Sequence, residues 1–228
     1  MTYRPADSPA GSPTFCTESV QKALVDWYQR QGRSFPWRLT NDAYHVLVAV
    51  FMLQRTGVSQ VMNVYERFVE RYPNLEAIAE ANEQELAEVL RPLGRVDRLP
   101  VLRALVDTLL EEYGGHIPED LESLDALPGI GQYSSRAVMC LAFGRPCIML
   151  DPNSYRVLSR ACGFATDKTR PHTDKELIRA LDALVQAHHP QAFNLALLDV
   201  GSKICRKQKP RHEECPLQDV CLYVRREG

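Results

Sequence analysis

Leu127-Pro128-Gly129-Ile130-Gly131 stands between two stretches of helical periodicity, Leu121–Ala126 and Gln132–Phe143, and constrains the fold more than any other segment. So short a connection between helices implies a tight αα turn. The glycines permit positive φ and let another body come close to the backbone. The helix beginning at Gln132 turns its unsatisfied N–H groups and its positive dipole end toward the same place. Such a turn is either a plain helix connection or a cradle for an anion.

Helical patterning extends over almost the whole chain of 228 residues. Thr17 caps a run from Glu18 to Gln31, with Val20, Leu24, Trp27 and Tyr28 on one face. Phe35-Pro36-Trp37-Arg38 interrupts it. Tyr44–Gln54 is nearly all apolar, as a helix buried on every side requires. Further helices are predicted over Val58–Arg71, Leu75–Ala81, Glu83–Leu90, Arg98–Tyr113, Pro152–Cys162, Asp174–Ala187 and Pro190–Cys205. No strand pattern persists, so the predicted class is all-α. Gly144-Arg145-Pro146 and Ala165 to Pro171 are the predicted linkers, and residues 1–15, rich in Pro, Ser, Ala and Gly, are read as a flexible tail. No apolar run reaches the ~18 residues of a membrane span, and the start lacks the apolar core of a secretory signal, so a cytoplasmic protein is expected. The formal charge of −2 excludes a uniformly basic nucleic-acid binder; any such surface must be local.

Asp151 precedes Pro152 as a ready N-cap, and a helix N-terminus also favours a negative charge available for chemistry. Tyr133 follows the glycine turn; it is either an aromatic packed on the neighbouring helix or a group facing a ligand. Of seven cysteines, Cys205, Cys215 and Cys221 cluster near the end, which in a chain without an export signal points to metal ligation. Between Cys205 and His212 lie Arg206, Lys207, Lys209 and Arg211, a short basic run suited to gripping phosphate.

Together these segments resemble the helix-hairpin-helix DNA glycosylases of the endonuclease III superfamily. The resemblance rests on Phe35-Pro36-Trp37-Arg38, Met52-Leu53-Gln54-Arg55-Thr56, Leu127-Pro128-Gly129-Ile130-Gly131, Leu150-Asp151-Pro152-Asn153, and Phe193-Asn194 ahead of Leu198-Asp199-Val200-Gly201, in that order. It implies two helical lobes: a six-helix lobe over 38–143 ending in the hairpin, and a second lobe joining 16–37 to 144–228, with double-stranded DNA in the cleft and the target nucleotide flipped out. A monomer is implied, nucleoid-associated if prokaryotic.

By the same resemblance Asp151 and Tyr133 are the catalytic residues, the amides of Gly129, Ile130 and Gly131 hold a phosphate, Gln54 fills the gap left by the flipped base, and Arg55 lies near the estranged base. Asn194 and Asp199 brace the active-site aspartate and helix ends. Lyase members carry lysine where Tyr133 stands, so strand cleavage through a Schiff base is excluded. The thymine and adenine branches usually place glutamate where Val50 stands, and valine cannot protonate a purine. The implied activity is monofunctional removal of a mispaired or modified pyrimidine, T or U opposite G. The alternatives are adenine mismatch excision and a non-catalytic DNA binder. The family's [4Fe–4S] motif, C-x6-C-x2-C-x5-C, is met by Cys205, His212, Cys215 and Cys221, with histidine replacing the second cysteine. A His-ligated cluster is expected; three Cys and one His also make a zinc set, or the loop holds no metal.

Overall fold

The computed structural model describes residues 13–94, 96–185 and 189–227. Its α-helices are α1 (Pro13–Gln31), α2 (Ala43–Leu53), α3 (Val58–Arg71), α4 (Leu75–Glu80), α5 (Glu83–Leu90), α6 (Leu99–Tyr113), α7 (Leu121–Ala126), α8 (Gln132–Leu141), α9 (Pro152–Cys162), α10 (Lys175–Asp182), α11 (Pro190–Lys203) and α12 (Val224–Glu227). No strand occurs among the described residues, in agreement with the all-α reading. No described helix is long and apolar enough to cross a membrane. Most of the tail read over 1–15 lies outside the described residues; from Pro13 the chain is already helical, so Thr17 falls inside α1 and does not cap it.

The chain divides into two compact units: Ser34–Phe143, and the segments up to Arg33 and from Gly144 onward. In the Ser34–Phe143 unit, α2 is the core helix. Val46 through Met52 are all buried, and Asp42 caps its start by accepting the His45 N–H at 2.9 Å. α3 buries Val61, Val64, Tyr65 and Phe68 from one face. The Phe35–Arg38 break is a 3-10 turn that seats Trp37, 4% exposed, against Phe35 and edge-on to Tyr65. Trp37 is therefore core.

In the other unit, Val20, Leu24 and Trp27 of α1 join Val157 and Leu158 of α9, Leu181 of α10, and Ala196, Leu197 and Val200 of α11. α8 stops at Leu141, two residues short of the expected Phe143, and two helices of this second unit also end earlier than their apolar pattern. α10 gives way to tight turns in which Leu184 and Val185 donate to Leu181 and Asp182, and the expected end at Ala187 lies outside the described residues. α11 closes at Lys203, where the Cys205 N–H reaches back to the Val200 carbonyl at 2.8 Å. Apolar spacing marks the buried face, while such backward bonds set where the helix stops.

Candidate active site

The hairpin is held in shape by its own turn bonds and by one side chain from distant sequence, Gln54. α7 is capped by Asp120, and the chain turns at Leu127–Gly131 into α8. The Ile130 N–H closes the turn on the Leu127 carbonyl at 3.1 Å, so that amide is engaged inside the loop. The N–H groups of Gly131 and Gln132 have no partner among the described residues and lie at the start of α8, where an anion is favoured. The two glycines serve different needs. Gly129 has φ +72°, and a Cβ there would stand 2.4 Å from Val101 Cγ1. Gly131 has φ −106°, and a Cβ would meet no atom within 4 Å. Packing dictates the first glycine; the second is open on a side the protein does not fill.

Gln54, the C-cap of α2, donates from Nε2 to the Gly129 carbonyl and to Ser134 Oγ, both at 3.0 Å. It braces the hairpin. Arg55 follows with φ +60°, in the left-handed region, and its side chain is exposed. A non-glycine residue there is uncommon and carries strain. Tyr133 is half-buried in the first turn of α8, between exposed Gly131 and buried Ser134. Val50 is 7% exposed within the apolar body of α2.

In the other unit Asp151 is the N-cap of α9. Its Oδ1 accepts the N–H groups of Asn153 (2.9 Å) and Ser154 (2.7 Å), and Ser154 Oγ accepts the Asp151 N–H at 2.8 Å, which completes a capping box. Oδ2 accepts Asn153 Nδ2 at 3.0 Å. Asn153 is fixed in turn by Arg156, whose Nη2 donates to Asn153 Oδ1 (2.8 Å) and the Gly201 carbonyl (2.6 Å) and whose Nε donates to the Cys205 carbonyl (2.7 Å). The carboxylate is half-buried and orientationally locked.

The approach to Asp151 is braced as well. Asn194 accepts the Met149 N–H at 2.7 Å and donates to the Cys147 and Pro190 carbonyls, while Asp182 accepts the Ile148 N–H at 2.8 Å. Gly201 lets α9 settle on α11: a Cβ would stand 2.8 Å from Asn153 Cβ. Asp199, fully buried, is gripped by Arg33 through its N–H, Nε and Nη2 at 2.6–2.8 Å. It anchors the end of α1, and its bonds to Arg33 fix the lobe and not Asp151 directly. Sequence reasoning missed Arg156, Asp182, Ser154 and Arg33. Only Ser154 had a signal: a hydroxyl three residues after an Asp cap.

The terminal loop collects Cys205, Cys215 and Cys221, all free thiols against the same apolar core. Burial, with a smaller contribution from neighbouring Cys205 and Cys221 and against a lowering backbone hydrogen bond at Leu217, pushes the Cys215 thiol up to about 11. Arg160 donates to Cys205 Sγ at 3.5 Å and to the carbonyls of Arg206 and Lys207. His212 packs edge-on against Tyr223, ring centroids 5.9 Å apart. The donor types suit a thiolate-bound metal, but among the described residues no three His, Cys, Asp or Glu side chains converge on one point. Arg206, Lys207 and Lys209 are exposed, whereas Arg211 is paired with Glu214 at 3.1 Å.

The pattern of HhH-GPD superfamily base excision DNA repair proteins matches residues 48–183. The chain is 41% identical over 210 residues to a thymine-DNA glycosylase of Aeropyrum pernix, covering 90% of this chain and 94% of that one. It is 36% identical to a thymine/uracil-DNA glycosylase of Pyrobaculum aerophilum, covering 90% and 91%. It is also 32% identical to the adenine DNA glycosylase of Rattus norvegicus, covering 92% of this chain and 42% of that protein. A solved structure of a thermostable thymine-DNA glycosylase superposes with a TM-score of 0.88 at 30% identity, covering 95% of this chain and all of that one. The chain belongs to the HhH-GPD superfamily of base excision DNA repair proteins.

Proposed function

We propose that this protein is a monofunctional DNA glycosylase that hydrolyses the N-glycosidic bond of T or U mispaired with G in duplex DNA. The observation that carries the reading is Asp151. Its Oδ1 is saturated by two backbone amides and its Oδ2, held by Asn153, keeps lone-pair capacity for a reacting group. As the bond from C1′ to the base nitrogen breaks, its electron pair leaves with the base and positive charge grows on the sugar, as in other glycoside hydrolyses. A fixed carboxylate stabilises that charge and accepts a proton from the water that adds to C1′. Tyr133 lines the base pocket and offers no amine for a Schiff base. Val50 supplies no proton, which favours a pyrimidine leaving group over adenine.

Phosphates are held by the Gly131 and Gln132 amides and by Arg206, Lys207 and Lys209, with Arg211 partly neutralised by Glu214. Because Gln54 is committed to the hairpin, Arg55, exposed on its left-handed turn, is the better placed of the two to meet the estranged base. The two compact units serve as the two lobes. Similarity to thymine- and thymine/uracil-DNA glycosylases supports the choice of base.

A panel of labelled duplexes carrying G·T, G·U, A·G, A·8-oxoguanine or oxidised pyrimidines, each with and without alkali, tests the reading. Alkali-dependent nicking at G·T and G·U is expected. Nicking without alkali, or excision confined to A·G, would overturn it.

Cys205, Cys215, Cys221 and His212 are proposed to hold a [4Fe–4S] cluster in a structural role, with zinc as the alternative. The support is the register of the four donors and the gathering of the three thiols against one apolar core. A brown protein with iron and sulfide is expected, and His212→Cys should retain the colour. A colourless protein with stoichiometric zinc would refute the cluster.

A further inference from the structure

The C-terminal end of α2 presents an electrostatic problem. The helix ends at Leu53, its last turn has no basic residue, and its terminal carbonyls carry about half a negative charge. Gln54 ties that end to the Gly129 carbonyl, so the negative pole lies beside the hairpin. A phosphate approaching Gly131 would be repelled by it.

Arg98 answers this charge. It comes from the N-cap position of α6, far from α2 in sequence. Its Nη1 donates to the Phe51 carbonyl at 3.1 Å, and its guanidinium lies 4.1 Å over the Phe51 ring. Its Nη2 is 3.3 Å from the point where a Gly129 Cβ would stand. An arginine keeps its charge in such a half-buried place. The stack on Phe51 and the bond to its carbonyl fix the cation against both the helix end and the turn.

We propose that Arg98 is a positioning residue of the DNA anchor: it cancels the negative end of α2 beside the hairpin, so that a backbone phosphate can settle on the Gly131 and Gln132 amides. It acts through the hairpin's field and does not touch the phosphate. This rests on the reading of the hairpin as a DNA anchor.

The test is binding of the full-length protein to a short labelled G·T duplex at low and high salt. Arg98→Met keeps an apolar stem on Phe51 and removes the charge. Affinity should fall about fivefold near 50 mM salt and less than about twofold near 500 mM, because the field is screened. Arg98→Lys should restore binding to within about twofold of wild type at low salt. Equal loss at both salts, or no loss at low salt, would overturn the proposal. If R98M fails to fold, judged by its melting transition, Arg98→Gln serves in its place, since its amide can still donate to Phe51. Gly131→Glu separates this from the underlying reading. Its backbone accepts a side chain, and the carboxylate would face the free amides, so a loss of more than about tenfold is expected. If G131E binds as wild type, the hairpin is not the anchor and both readings fall. If G131E loses binding and R98M does not, only the Arg98 proposal falls.

Discussion

Gly201→Ala should slow excision while barely changing DNA affinity. In most helices this exchange is favourable by roughly 0.5–1 kcal/mol, because alanine loses less backbone freedom on folding. Here the added Cβ would stand 2.8 Å from Asn153 Cβ, 2.9 Å from Asn153 O and 3.0 Å from Asn153 C. Carbon contacts are comfortable at about 3.5–4.0 Å, so α9 must retreat from α11 by roughly 0.5–1 Å. Two of the three obstructing atoms are backbone, so no side-chain rotation relieves the clash. Overpacking of this kind costs about 1–3 kcal/mol, which outweighs the propensity gain. The retreat moves the residue whose N–H and Nδ2 both hold Asp151. A displacement of about 1 Å at reacting groups is worth on the order of a hundredfold in rate. Single-turnover excision from a G·T duplex should therefore fall about tenfold to a hundredfold, with affinity within about threefold, since the proposed phosphate contacts lie elsewhere. Gly57→Ala is the control: the nearest atom to its Cβ is Gln60 Oε1 at 3.5 Å, and it should behave as wild type. A G201A protein that melts higher than wild type and excises at an unchanged rate would refute the reasoning.

Asp151→Asn should abolish excision yet leave the melting temperature nearly unchanged, because asparagine is as good an N-cap and the Ser154 capping bonds can re-form; retained excision would remove Asp151 from the chemistry. Arg33→Ala leaves the buried Asp199 carboxylate without its fork and should destabilise by about 3 kcal/mol in urea denaturation, whereas a loss under about 1 kcal/mol would mean water replaces the guanidinium. Asp174 caps α10; a hydrogen bond from Thr166, then the Leu177 N–H, holds its carboxyl below the ordinary aspartate value. The stability it contributes is present above that value and lost as pH falls through the folded pKa, so Asp174→Asn should flatten the decline of stability on acidification below about pH 4; parallel pH profiles would refute it.

The helices were legible because apolar spacing reports a buried face, and α2, α3, α5, α7 and α9 match the sequence reading to within a residue. Asp151 was legible as a cap because Asp-Pro is a local signal. What the sequence hides is the partner at long range. Asp199 reads as a bracing residue, but nothing local says that its fork comes from Arg33. Gln54 carries the residue type of a side chain that enters a duplex, yet its amide is bonded to a glycine 75 positions away. Ile130 stands inside the turn proposed to bind an anion, yet its N–H is engaged with Leu127, which moves the free amides one residue later.

Those long-range bonds share a physical logic. A chemical motif here is a short piece of backbone whose polar groups cannot all be met locally, and buried polar groups left unmet are costly. The hairpin's carbonyl is met by Gln54, the end of α2 by Arg98, the segment before Asp151 by Asn194 and Asp182, and the end of α11 by Arg156. Each supporting side chain both satisfies a backbone group and fixes the geometry of the residue beside it. Substituting one should therefore disturb function more than its own exposure or charge suggests. Arg156 makes the point most strongly: its fork joins Gly201, Cys205 and Asn153, so a change at the terminal loop reaches Asp151 through one guanidinium and one amide.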